Sequence, residues 1–498
     1  MKLWNRLACA GFLATAAVAT DLLTPDAVER DIEEKNANPT PRSLQNVLWN
    51  LNHIADTHGG NRAFGLPGYN ASIDFILERV VTRFGKEFDT YVQPFNHTFE
   101  STRSISVKGP QGEDVYVITL QYNTATPLPG GITGELIDTP VDDERGSGCF
   151  EDQWEGIDAT GKIALVKRGI CAIADKLKLA KAHGALAVIL YNNQPGKPIG
   201  SATLSASNLG LLIPVGVITL EDGTAWKARL AAGETLSATL IVDSVNELRE
   251  SWNIISETKE GDPNNVILLG AHLDSVQAGA GVNDDGSGTA GLLELATSFR
   301  KYKGFANKVR FAWWGAEESG LIGSLYYGQH LSEEEADRIR FYFNYDMIGS
   351  KQPIYAVYAD TDAHKTGGSI LFDYLSAKGK PVYYGGFGTS SDYVAFLELG
   401  IPSSGLFTGA GAPEDACYHQ ACDNLDNINW EAITVNTKAA GRAAAQLALS
   451  LDGIPLREKT SLNPSSKKAI QRQLNRAAQL TKVIEKSHSC GGLGNNTV

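Results

Sequence analysis

Positive charge is in short supply in this 498-residue chain: 44 lysines and arginines stand against 57 aspartates and glutamates, a net charge of -13. That balance argues against nucleic acid or an anionic membrane as the main partner, because phosphates would be repelled. Long apolar runs are missing as well. The main one, residues 7–18, falls short of the ~20 residues that span a bilayer. No low-complexity tract suggests a fibrous or disordered chain, and 43% apolar with 20% charged residues is the composition of a soluble enzyme.

Cysteine is sparse, with six in all. Cys9 falls in an N-terminal stretch that opens with Lys2 and Arg6, turns apolar and offers Ala17-Val18-Ala19 for cleavage. Residues 1–19 therefore read as a signal peptide, and the run is too short for the alternative, a membrane anchor. Cys149 with Cys171, and Cys417 with Cys422, are near enough in sequence to pair in an oxidising compartment. Spacing alone does not prove either bond, and Cys490 is left over. Asn70, Asn96 and Asn495 head glycosylation sequons, a pattern that also arises by chance. The expected location is extracellular, with a vacuolar lumen as the alternative.

At this length two domains with terminal extensions are expected. Residues 20–42 are polar, and Pro25, Pro39 and Pro41 interrupt any long helix, so a pro-segment or loose arm is predicted. Leu44, Val47, Leu48, Leu51 and Ile54 share one helix face, and Ile73, Ile76, Leu77 and Val80 mark a second helix over 71–84. Over 113–247 short β-like runs at 115–118, 162–166 and 187–191 alternate with glycine turns and a helix at 176–183, which reads as an inserted, β-rich domain. After Trp252, strands at 266–269, 309–314, 341–345 and 404–407 alternate with helices at 288–302, 333–338, 369–378 and 432–451. This is an α/β pattern, a mixed and largely parallel sheet with helices on both faces, built from 43–112 and 248–452. The extension 453–498 is basic over 457–486. It is either a solvated helix or a pro-segment lying on an acidic face.

Ligands of open α/β sheets bind beyond the carboxyl ends of the strands. His272 and Asp274 follow the first of these strands, Glu317 and Glu318 the second, and Asp346 the third; the fourth leads to Tyr418 and His419. Imidazole mixed with carboxylate is the ligand set of catalytic zinc. Two cations need a shared ligand, and Asp284, between glycines at 281 and 286, offers two oxygens that can bridge ions ~3.5–4 Å apart. Each residue also has a plain structural reading: Asp284 or Asp285 as a helix N-cap, Glu317-Glu318 as a solvated turn, His272 as a core histidine. Their recurrence at consecutive strand ends argues for a joint role, since paired carboxylates would repel without a cation. Two other designs lack support. No His-Glu-x-x-His helix occurs, and none of Ser275, Ser287, Ser390 or Ser391 sits in a Gly-x-Ser-x-Gly elbow.

The segments 270–275, 283–288, 316–318, 344–347 and 417–419 resemble the motifs of the cocatalytic dizinc aminopeptidases, secreted fungal leucine aminopeptidases among them. Residues 161–169 and the helix and strand after them resemble a protease-associated domain. The resemblance implies a zinc-exopeptidase-like fold and two zinc ions, one held by His272 and Asp346, the other by Glu318 and His419, with Asp284 bridging. It further implies Glu317 as general base, Asp274 as the partner that fixes the His272 tautomer, Tyr418 as an oxyanion donor, and a cis peptide at Asp284-Asp285. The expected substrate is a peptide or protein N-terminus taken by a monomer. Carboxypeptidases of the glutamate type are the alternative, but they need an arginine cluster, and 383–393 holds no Arg or Lys. Phe387 there, with Met347, is a candidate lining for a leucine-like side chain; plain core packing of Phe387 is the other reading.

Overall fold

The computed structural model describes residues 21–37, 43–198 and 202–459. The signal peptide, Cys490, Asn495 and nearly all of the basic extension lie outside them. The backbone of the molecule is a 14-stranded sheet. The half built from the α/β segments is centred on Asp262–His272, which pairs in parallel with Asn307–Trp314 on one side and Ile339–Tyr345 on the other. Ser403–Phe407 adds a fourth parallel strand, and Tyr355–Tyr358 runs antiparallel beyond it. Runs such as Val266-Ile267-Leu268-Leu269 are apolar throughout because helices cover both faces.

On one face Leu269, Phe311 and Phe343 pack against Leu48, Leu292, Leu371 and Ile433 of the helices Leu44–Thr57, Gly286–Phe299, Asp362–Ala377 and Trp430–Leu449. On the other, Leu268, Trp314 and Tyr342 meet Tyr327 and Phe396 of Ile322–Gln329 and Tyr393–Glu398. Most strands and helices fall where the apolar periodicity puts them. Three depart from it, two of them for identifiable reasons. The helix expected at 369–378 begins at Asp362, capped by Thr361; Gly367 and Gly368, which look like a break, lie against Phe341 and Ser404, where a Cβ would collide. The run at 115–118 splits at Tyr116 because its two halves pair with different strands, Val115 with Val107 and Val117 with Ile218. The helix expected over 71–84 is α-helical from Pro67 to Leu77 and continues as a π-helical turn, Glu78–Arg83.

Residues 21–37 form a packed element rather than a loose arm. Asp21–Leu22 pairs with Tyr302–Lys303, and Pro25–Ala37 is a 13-residue helix that buries Ala27, Val28 and Ile32. Pro25 opens it, a position where the missing N–H costs nothing.

The inserted domain hangs on a two-stranded antiparallel ribbon, Phe88–Lys108 against Ser237–Thr258, in register from Phe88↔Thr258 to Lys108↔Thr239 with one shift between Thr102 and Ser104. Beyond the ribbon, Ile132–Asp138, Ile163–Lys167, Ala187–Tyr191 and Val215–Ile218 make a parallel sheet. The helices Ile173–Ala182 and Leu220–Ala231 flank it.

Candidate metal centre

His272 ends its strand, and its ring is buried. Nδ1 lies 3.0 Å from the main-chain carbonyl of Asp274. A carbonyl only accepts, so Nδ1 carries a proton and Nε2 faces the carboxylates. The tautomer is thus set by the main chain of Asp274, with its carboxylate farther off at 3.8 Å. That carboxylate accepts instead from the N–H groups of Glu317 and Glu318, at 3.1 and 3.4 Å. It therefore holds the turn that carries both acids.

Asp284 stands between the two imidazoles. Oδ1 is 3.2 Å from His272 Nε2, and Oδ2 is 3.1 Å from His419 Nε2. Asp346 Oδ1 is 3.7 Å from His272, and Glu318 Oε2 is 3.0 Å from His419. Two sets of possible ligands, His272 with Asp284 and Glu318, and His272 with Glu317 and Asp346, each bring their donor atoms within 4.8 Å of one another. Asp284 Oδ2, Glu318 Oε1 and Asp346 Oδ1 are buried without a hydrogen-bond partner. Buried carboxylate oxygens left this way are costly unless they coordinate an ion. Oxygen and nitrogen donors at these separations fit a pair of divalent cations.

Charge tells the same story. Burial disfavours an imidazolium at His272, yet Glu317, Asp284 and Asp346 outweigh it and hold its pKa well above the usual value. His419 is likewise pulled down by burial and up by Glu318 and Asp284, ending at about 9. Asp284, against the effect of burial, is lowered by its contacts with both histidines. A pocket that retains protons this firmly carries more negative charge than its protein surroundings neutralise. Glu317 is pushed well above the carboxylate range, by burial first and by Asp392, Glu318 and Asp346 against the pull of His272. A carboxyl so shifted takes up a proton more readily than an ordinary carboxylate does.

The backbone around these ligands is unusual. Ala316, Met347 and His419 adopt positive φ of 55°, 53° and 57°, sparsely populated for residues with a Cβ and characteristic of functional turns. The Asp284-Asp285 peptide is cis. Asp285, not Asp284, caps the helix Gly286–Phe299, its Oδ1 accepting from Gly288 N–H at 2.8 Å. Gly288 is needed because a Cβ there would strike the Tyr345 carbonyl.

Met347 is buried beside Asp346, and its N–H donates to Asp285. Phe387 is half-buried, stacked on Tyr358 at 5.2 Å and against Tyr393 at 4.9 Å. Tyr418 stacks on the His419 ring at 3.8 Å. Cys417–Cys422 closes the loop that holds both, and Cys149–Cys171 is formed in the inserted domain. Asn70 and Asn96 are exposed.

Sequence reasoning missed several residues here. Ser391 Oγ donates to Asp346 Oδ2 at 2.6 Å, leaving Oδ1 to face His272. Arg62, fully buried, donates to the carbonyls of Leu273, Ala280 and Gly281 and so ties down the connection from His272 to Asp284. Asp392 and Asp423 are buried beside the cluster, next to Asp285, the helix cap that the sequence offers. None belongs to a metal-ligand pattern; the one available signal is polar residues crowding next to the motifs.

Two family descriptions match the chain: Peptidase family M28 over residues 253–444, and PA domain over 132–226. Probable leucine aminopeptidase 2 of Aspergillus fumigatus is 37% identical over 81% of this chain and 82% of its own length. Among solved structures, an aminopeptidase from Aneurinibacillus sp. strain AM-1 superposes with a TM-score of 0.67 at 29% identity, covering 89% of this chain and 98% of that one. A zinc aminopeptidase from Bacillus subtilis gives 0.61 at 26%, covering 88% and 99%.

Proposed function

Because the chain belongs to peptidase family M28 and is a zinc-dependent aminopeptidase, we propose that it removes leucine-like residues from peptide and protein N-termini, with Glu317 as general base. The observation that carries this reading is Asp284, one oxygen turned to His272 and the other to His419. His272 and Asp346 would hold one zinc ion, Glu318 and His419 the other. Bound there, the ions supply Lewis acidity toward the scissile carbonyl and lower the pKa of water. Glu317 takes the proton of the attacking water and passes it to the leaving amine. Tyr418 donates a hydrogen bond to the developing oxyanion. Asp274 keeps Glu317 and Glu318 aimed through their N–H groups, while Ser391 steers Asp346.

The negative charge of Glu317 and Asp346 suits a substrate ammonium. A carboxypeptidase would need arginine facing the substrate, and the arginine beside this cluster, Arg62, is fully buried and bonded to three main-chain carbonyls. Met347 and Phe387 are proposed to line the side-chain pocket. Two disulfides and exposed sequons at Asn70 and Asn96 support export. No helix among the described residues is long and apolar enough to cross a membrane. Since one chain supplies every ligand, a monomer suffices for catalysis.

Leucine-4-nitroanilide is expected to be cleaved and its N-acetylated counterpart rejected; equal turnover of both would refute capture of a free amine. Glu317→Gln should lower kcat by roughly 100–10,000-fold with zinc content unchanged, and near-full turnover by that variant would remove Glu317 from the mechanism.

A further inference from the structure

The segment after His419 takes no part in the chemistry above, yet Asp423, directly after Cys422, is buried and turned toward the bridging aspartate. Its Oδ1 accepts from Asn283 N–H at 2.9 Å and from Asn427 Nδ2 at 3.0 Å, and its Oδ2 from Asp284 N–H at 3.0 Å. Its carbonyl accepts from Val282 N–H at 3.2 Å. Three successive N–H groups, 282 to 284, thus end on one residue. Asp415 reinforces the joint, accepting from Asn283 Nδ2 at 2.6 Å and Asn427 Nδ2 at 2.8 Å.

The Cys417–Cys422 bond closes the loop that carries His419. Asp423 therefore fastens the short loop presenting one ligand to the backbone presenting another. From this geometry we propose that Asp423 is a positioning residue that keeps Asp284 Oδ2 in register with His419, and thereby sets the affinity for the cation held by Glu318, His419 and Asp284. It touches neither substrate nor reacting atoms. A carboxylate is required because its two oxygens receive three N–H donors while offering none. An amide would set an N–H against one of those donors.

The proposal rests on the two-zinc reading, and the test separates the two. Purified wild type and Asp423→Asn are dialysed against zinc over a range of free concentrations, with bound zinc counted per chain and Tm recorded. Wild type is expected to hold two ions. Asp423→Asn should hold one ion as tightly as wild type and bind the other roughly 10–100-fold more weakly, with Tm in the zinc-free state little changed. Asp426→Asn, an exposed neighbour, should match wild type. Unchanged affinity for both ions, or equal weakening of both, overturns the proposal. A wild type that binds a single ion overturns the two-zinc reading itself, seen without any substitution. Should Asp423→Asn fail to fold, Asn427→Ala decides: it removes one donor from Asp423 and leaves the carboxylate in place. Selective weakening of one ion supports the coupling, and wild-type binding of both overturns it.

Discussion

Without metal, His419 and the buried carboxyls of Asp274, Asp392 and Asp423 hold protons, and that makes stability depend on pH in a definite direction. Burial opposes the His419 imidazolium, but Glu318 and Asp284 hold its pKa at about 9, against ~6.5 in an unfolded chain. Burial also pushes Asp274, Asp392 and Asp423 up to about 7, against ~3.9 unfolded. Each group binds its proton more tightly in the folded state. The stability this contributes is full below the unfolded values and is lost as pH rises through the folded ones, about 7 for the carboxylates and about 9 for His419. Metal-stripped protein is therefore expected to lose several degrees of Tm between pH 6 and pH 9. Zinc, taking the place of the protons, should flatten that curve. Thermal melts with and without chelator check this, and a flat curve for the stripped protein would contradict it. The same crowding explains what was legible. His272, Asp284, Glu318, Asp346 and His419 fall in motifs whose spacing follows strand ends, so the sequence exposes them. Arg62 and Asp423 act through main-chain carbonyls and N–H groups 139 to 219 residues away in the sequence, and no spacing rule encodes a partner that is backbone.

Among the elements, the helix Pro25–Ala37 depends least on local pattern and most on tertiary contact. Glu29 meets Lys378 at 2.9 Å and Arg442 at 3.2 Å, and Tyr374 donates to it at 2.8 Å. Lys35 reaches Glu294 at 3.1 Å, and Glu294 is fully buried inside Gly286–Phe299 with a pKa of about 7, raised chiefly by that burial. Gly441 lets the helix approach, since a Cβ there would press on Val28, Ile32 and Leu295. From sequence the prolines flanking this stretch read as breakers; Pro25 instead starts the helix, and its apolar face is only Ala27, Val28 and Ile32, too few to stand out against seven charged neighbours. The contacts make it a clamp. Ile32→Ala should cost about 2–4 kcal/mol. Lys35→Met, which leaves Glu294 buried and unpaired, should cost about 3 kcal/mol. Urea unfolding of the two variants measures both, and losses below about 0.5 kcal/mol, the scale of an ordinary surface change, would show the helix to be dispensable.

For the whole molecule, the ribbon decides how the inserted domain relates to the catalytic one. Its base belongs to the active centre: Phe95 and Phe99 pack with Phe64 and Ala316, the residue before Glu317, and Gln277, from the connection after His272, donates to the Glu100 carbonyl at 2.6 Å. Its far end belongs to the inserted domain, where Val107, Leu240 and Val242 join Leu136, Ile189 and Trp226 in one core. The division falls near the register shift at Thr102↔Ser244. Antiparallel strands can be joined there by a two-residue turn, so replacing 103–243 with Asn-Gly should leave a folded catalytic domain that retains Phe95, Phe99 and the Gln277 contact. Hydrolysis of leucine-4-nitroanilide is expected to stay within about threefold of the full chain, a change in barrier below about 0.7 kcal/mol. The inserted domain carries none of the proposed metal ligands, and we propose substrate access or docking as its contribution. Its removal should then alter the ratio of kcat/KM for long peptides to that for dipeptides, measured on a leucine-headed series of increasing length. An unchanged ratio with intact activity on the small substrate would show that the domain does not select substrates by size.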